Sequence, residues 1–254
     1  MTSMQIQMPV TGERQRGIDR LLALLEALMR LRGPARVGDL AKEIGAPRST
    51  TYEIVNRLLE AQILEPVGDD GLIYFGRTLH LYGHAYADAN AFHRRCRDAL
   101  DRLTAETGAT TQFCALRGNK YVALDARDGG GLFRITSTIG AEVPIPWTAS
   151  GRLLLDHMTE EEIRAFIPPE DYRLPDGRVV TEAEFLADIA RARAEGFSIT
   201  IGLADRFTCC LAAPIRNRDG VATATLCFVI PADVPAARRD ELVRCLLREV
   251  ETLR

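Results

Sequence analysis

Two stretches of this 254-residue chain carry side chains that could do chemistry as a group. The first is Arg48-Ser49-Thr50-Thr51-Tyr52. At the start of a helix, short hydroxyl side chains and unpaired amides dock phosphates, while Arg and polar groups reach base edges in the major groove. The same residues could open an ordinary surface helix, so the elements on either side decide between the two. The second stretch is Thr148-Ala149-Ser150-Gly151-Arg152. Amides and a guanidinium at a helix start suit a carboxylate; the plainer reading is a Thr or Ser cap with Arg152 in solvent.

Other groupings lead less far. The adjacent Cys209 and Cys210 point to opposite faces of a strand, which strains any disulfide between them. His80 and His84 stand four apart on one helix and lack an evident third metal ligand. The run His93-Arg94-Arg95-Cys96-Arg97 reads as a solvated helix end, with phosphate binding as the alternative. None of the GxSxG, P-loop, SxxK or HExxH patterns occurs, and His157 has no Ser or Cys partner recognisable by sequence. The six cysteines form no CxxC pair, as suits reduced thiols in a cytosol. A metal- or redox-responsive protein, or an enzyme built on the second half, is the alternative to a binding function, which requires no catalytic residue, metal or cofactor.

The elements that must position Arg48 can be read from spacing. Leu21, Leu22, Leu25, Leu28 and Met29 recur at helical intervals up to Leu31, and Gly33-Pro34 stops that helix. Leu40, Ala41 and Ile44 line a short second helix, and Gly45 sits where a helix ends in the left-handed conformation. Pro47 suits the first turn of a third helix reaching about Ala61, with Tyr52, Val55, Leu58 and Leu59 facing inward. Residues 63–67 and 72–75 flank Gly68-Asp69-Asp70-Gly71, an Asp-Gly turn that marks a hairpin. This order predicts a winged helix-turn-helix. Residues 76–92 read as a connecting helix. Beyond it, helices are expected over 94–106, 151–158, 160–166, 182–195 and 236–253, and strands over 110–116, 121–126, 132–139, 197–201, 208–215 and 221–229. The chain is therefore α+β, its second half an antiparallel sheet flanked by helices.

Composition bounds the rest. With 46% hydrophobic and 26% charged residues, the chain is neither disordered nor fibrous, and a net charge of −3 excludes a globally basic coat for nucleic acid. Of 32 basic side chains only Lys42 and Lys120 are lysine, a bias that reflects base composition rather than recognition. Between Arg14 and Glu60 nine basic residues stand against six acidic ones. DNA binding would then rest on placement and dimerisation more than on bulk charge. No apolar run reaches the roughly 18 residues of a membrane span, and Met1 to Thr11 is polar, so a cytoplasmic protein without a membrane partner is expected.

Several strings, in order, carry a family resemblance: Gly17-Ile18-Asp19-Arg20, Leu40-Ala41-Lys42-Glu43-Ile44-Gly45-Ala46-Pro47-Arg48-Ser49-Thr50, Tyr74-Phe75-Gly76-Arg77, Ile145-Pro146-Trp147-Thr148-Ala149-Ser150-Gly151-Arg152, Ile189 to Gly196-Phe197 and Cys210-Leu211-Ala212-Ala213-Pro214-Ile215. Over nearly its whole length the chain resembles the IclR family of bacterial transcriptional regulators. The resemblance implies a flexible arm over 1–16, a winged helix-turn-helix over 17–76, a linker helix over 77–92 and a GAF-like effector-binding domain over 93–254. It implies a homodimer or tetramer, a repressor more readily than an activator, on a double-stranded DNA operator. The DNA would be met by Arg14, Arg16, Arg36, Arg48, Ser49, Thr50, Thr51, Tyr52 and Arg57. A small-molecule effector, commonly an organic acid in that family, would be held by Trp147, Ala149, Ser150, Gly151, Arg152, Thr200, Cys210, Cys227 and Val229. Where relatives tend to carry acidic residues, a glycine and hydroxyls, this chain has Thr200-Ile201-Gly202-Leu203, Phe207, Cys227 and Val229, which points to a less polar effector or one with an apolar body.

Overall fold

The computed structural model describes residues 17–130 and 139–253. The chain divides into two compact units between Ala91 and Phe92. The expected arm with Arg14 and Arg16, and all but the last residue of the strand expected over 132–139, lie outside the described residues.

In the first unit, α1 (Gly17–Leu31) buries Leu24, Ala27 and Leu28, three and four positions apart as one helix face requires. A short strand β1 (Ala35–Arg36), unforeseen in the sequence, leads into α2 (Val37–Glu43). Gly45 then takes φ +63°, and the amide of Ala46 reaches back to the carbonyl of Ala41 at 3.0 Å. A left-handed residue of this kind ends a helix and turns the chain into the next one, here α3 (Arg48–Glu60). Strands β2 (Leu64–Val67) and β3 (Leu72–Phe75) pair from Leu64 with Phe75 to Val67 with Leu72, which leaves the four residues 68–71 as the turn. The sheet order is β1-β3-β2. Leu28, Leu40, Val55, Leu58, Leu64 and Ile73 form the common core, so each element contributes at least one side chain to holding α3.

One expectation fails inside α3. Tyr52 was placed inward, but it is 50% exposed, and Thr51 occupies the interior at 0%. The hydroxyl of Thr51 donates to the carbonyl of Pro47 at 3.0 Å, so its only polar group is satisfied within the helix. After the wing, α4 (Arg77–Ala89) buries none of its residues and ends at Asn90, whose extended backbone separates it from α5 (Ala91–Thr107).

Among the described residues the second unit is a six-stranded antiparallel sheet between two helical layers. In chain order its strands are β4 (Thr110–Arg117), β5 (Lys120–Arg127), β6 (Glu142–Pro144), β7 (Ser198–Ile201), β8 (Thr208–Arg216) and β9 (Ala222–Pro231); in space the order is β6-β5-β4-β9-β8-β7. Strands buried on both faces carry apolar side chains at both parities, and β8 and β9 do so. Cys209, Leu211, Ala213, Leu226 and Phe228 meet Leu100, Leu103, Leu242 and Leu246 on one side, the last two from the C-terminal helix. On the other side Ala212, Cys227 and Val229 meet Ile145, Leu153, Leu154, Phe185 and Ile189. The helices are α6 (Ala149–Leu154), α7 (Glu160–Phe166), α8 (Glu182–Glu195) and α9 (Ala236–Glu251). Both α7 and α8 start with a reciprocal capping box, Thr159 with Glu162 and Thr181 with Glu184. No helix among the described residues is long and apolar enough to cross a membrane.

Candidate DNA-binding face and effector site

Helix α3 presents Arg48, Ser49, Tyr52, Asn56 and Arg57 to the outside. Arg48, Tyr52 and Asn56 are four apart and form one ridge. Asn56 was not singled out from sequence, although an amide of this kind is suited to adenine in the major groove. Thr50 is half-buried and Arg36 is exposed. Arg57 pairs with Glu60 at 3.2 Å. Thr51, with its hydroxyl turned inward, cannot meet DNA and drops out of the predicted face. The wing departs from a basic one: no Lys or Arg stands between Leu64 and Phe75, and its turn carries Asp69 and Asp70. Glu65 instead binds Arg77 at 2.6 Å, fixing the base of the wing to the start of α4.

The effector residues predicted on strands converge by register. Thr200 lies opposite Cys210, and Cys210 opposite Val229, so the three make one row across β7, β8 and β9. The next row holds Ala212, Cys227 and Gln112. Above them sits α6, whose Ser150 accepts a hydrogen bond from Thr225 at 2.8 Å. Gly151 has to be glycine, because a Cβ there would lie 2.4 Å from the carbonyl oxygen of Ile145. Its amide donates to the Thr148 hydroxyl at 3.0 Å, the cap of the helix. Ala149, beside it, is buried.

Two predicted residues are occupied elsewhere. Trp147 gives its indole N–H to the carbonyl of Asp171 at 2.8 Å, and the carboxylate of Asp171 is held by Lys120. Arg152, expected to meet a carboxylate ligand, is only 2% exposed. Its Nε and Nη2 bind Asp188 at 3.0 and 2.9 Å, and its Nη1 donates to the carbonyls of Pro146 and Thr148 at 3.2 and 2.8 Å. The guanidinium also lies 5.1 Å from the ring centre of Phe185. Burial lowers its pKa, which Asp188 opposes. Three of the five N–H groups of a guanidinium donate to protein acceptors and Nη2 faces Asp188, which with its burial corrects the assignment of Arg152 as an effector ligand.

Residues missed in the sequence complete the lining. Gln112 accepts hydrogen bonds at Oε1 from the Tyr121 hydroxyl at 2.8 Å, the Cys227 thiol at 3.5 Å and the Cys114 thiol at 3.7 Å. Burial raises the pKa of Tyr121 and of Cys210, and the hydrogen bond from Cys114 together with burial raises that of Cys227. These groups therefore stay uncharged at neutral pH. No motif joins them, since Gln112, Tyr121 and Cys227 meet only through strand pairing. All six cysteines are free, with Cys209 on the α5–α9 face and Cys210 on the other.

Two measurements check this geometry. Replacing Asp188 by Asn leaves the buried guanidinium without its counter-charge and should cost about 3 kcal/mol, read by calorimetry as a fall in Tm of roughly 5–10 °C. Raised thiol pKa values keep the thiolate fraction low, so at pH 8 the folded protein should react with a thiol reagent at least about tenfold more slowly than the urea-unfolded chain; rapid labelling of Cys210 or Cys227 in the folded protein would contradict the assigned burial.

The comparisons with known proteins agree with this architecture. Residues 84–252 match the model of the bacterial transcriptional regulator IclR C-terminal domain, and residues 17–68 that of the IclR helix-turn-helix domain. The HTH-type transcriptional repressor AllR of Salmonella typhi is 23% identical, over 96% of this chain and 92% of its own. An IclR transcriptional regulator from Alicyclobacillus acidocaldarius has the same fold, with a TM-score of 0.85 at 18% identity, covering 95% of this chain and 98% of that one. An IclR homologue from Microbacterium hydrocarbonoxydans, solved with 4-hydroxybenzoate, gives a TM-score of 0.78 at 22% identity over 94% and 98% of the two chains. With a helix-turn-helix head and a sheet-based second unit both matched, this chain belongs to the IclR family of bacterial transcriptional regulators.

Proposed function

We propose that the protein is a cytoplasmic repressor that binds its operator as a homodimer or a higher assembly and is released or retained by a small organic effector. The exposed ridge of Arg48, Tyr52 and Asn56 on α3, with Ser49 beside it, carries this reading. Arg48 and Asn56 would contact bases, while Ser49, Thr50, Arg36 and Arg57, with Arg14 and Arg16 of the arm, would meet the backbone. The wing, with its carboxylates, would stand off the phosphates.

Dimerisation is supported by α4, which buries nothing and exposes Leu81, Tyr82 and Tyr86. Apolar side chains grouped on an unburied helix mark an association surface. Pairing of two heads would supply the affinity that a head of small charge excess lacks.

The effector would sit against Ala149, Ser150, Thr200, Cys210, Cys227 and Val229, beside Gln112 and Tyr121. The 4-hydroxybenzoate bound by the Microbacterium homologue supports an aromatic or aliphatic acid of similar size. With Arg152 committed to Asp188, a carboxylate would be met by amides and hydroxyls around Ala149 and Ser150 rather than by that guanidinium. A coupling of about 1–3 kcal/mol between the two sites would change operator affinity some 5- to 150-fold.

In a gel-shift assay on duplex DNA selected by the unmodified protein, Arg48→Ala should weaken binding by about 5- to 150-fold, the worth of one good base contact. Thr51→Val, altered only in the interior, should bind as the unmodified protein does; equal affinities for all three would sink the assignment of α3. The double substitution Leu81→Glu and Tyr82→Glu should yield monomers by light scattering and weaken binding to the same DNA, whereas an unchanged mass would place the interface elsewhere.

A further inference from the structure

A cleft of about 230 Å³ opens on the second unit between α7 and α8, and none of the effector residues lines it. Ile167, Pro169 and Val179 give it apolar walls, and Arg164, Tyr172 and Glu182 supply its polar groups. The hydroxyl of Tyr172 is a buried side-chain atom with no hydrogen-bond partner among the described residues, in a residue only 9% exposed. Leaving a buried donor unpaired is costly, and such groups call for an explanation. The ring is held edge-on to Phe185, with centroids 5.9 Å apart. Burial raises the pKa of the phenol, and Tyr172 is itself one of the residues that line the cleft.

We propose that this cleft is a second ligand site, taking a small neutral molecule with an apolar body and one hydroxyl or carbonyl oxygen that hydrogen-bonds to Tyr172. The volume is below that of a drug-sized pocket and fits a fragment-sized ligand. The charges at the rim exclude an anion: Arg164 is already bound to Glu182 at 2.6 Å and to Glu160 at 2.9 Å, so two carboxylates face one guanidinium. Val179, 56% exposed at the rim, would be covered by the apolar body. The inference is independent of the effector site, whose acid-sized ligand would bind the opposite end of the Arg152–Phe185–Tyr172 contact series.

The chain carries its own reporter. Its single tryptophan, Trp147, is bonded to the carbonyl of Asp171, next to Tyr172. Titration of the full-length protein with cyclohexanol should give a saturable change in tryptophan emission. Tyr172→Phe should bind cyclohexanol at least about fivefold more weakly and methylcyclohexane unchanged. Without ligand its Tm should rise by about 2–4 °C, because the unpaired hydroxyl is gone. Val179→Phe, which fills the cleft from its exposed rim and leaves Trp147 the single tryptophan, should abolish both titrations. Equal affinity of Tyr172→Phe and the unmodified protein for cyclohexanol, binding that persists in Val179→Phe, or no saturable titration at all, as when water alone satisfies the hydroxyl, would each overturn the proposal.

Discussion

The second unit is organised around a cation taken out of water. Desolvating a guanidinium costs several kcal/mol, and the chain offsets this with Asp188 from α8, the carbonyls of Pro146 and Thr148, and the ring of Phe185. These partners come from two distant stretches of sequence, 146–148 and α8, so satisfying one side chain fixes the turn before α6, the cap of α6 and the inner face of α8 together. The hydroxyl cap from Thr148 and the contact of Gly151 with Ile145 follow from that placement. The surface that α6 turns toward the sheet is thus set by an interaction on its far side.

What faces α6 across that surface is polar without being charged. Gln112, Tyr121 and Thr225 supply hydrogen bonds, the last to Ser150 of α6, and the thiols of Cys114, Cys210 and Cys227 fill the space between them. Thiols are small, polarisable and weakly hydrogen-bonding, so the sheet can be lined at three adjacent strands without creating a charge that would need a partner. Selectivity in such a lining comes from shape and from a few donors and acceptors rather than from ion pairing.

Much of the fold was legible because local chemistry and global packing agree. Gly45 and the Asp-Gly turn each admit few conformations, and β8 and β9 alternate cleanly between two helical layers; these signals survive without any knowledge of distant contacts. The failures share a cause. Thr51 and Tyr52 occupy neighbouring helix positions, and a side chain's own polarity does not reveal that Thr51 can satisfy its hydroxyl on Pro47 while the tyrosine ring turns outward. Arg152 looked available because Asp188 lies 36 residues away with no pattern linking them. Strand β1, two residues long, carries no periodicity at all. Gln112 and Tyr121 enter the site through cross-strand register, which sequence spacing does not encode.

The acidic wing alters how the head would behave among sites it is not meant to occupy. Binding to arbitrary duplex is powered by the counterions that basic side chains displace from phosphates. A hairpin that ends in Asp69 and Asp70 and uses Glu65 to hold Arg77 displaces none. The counterion contribution of this head would then come from the arginines of α3, β1 and the arm alone, and the wing would add nothing to the hold on random sequence.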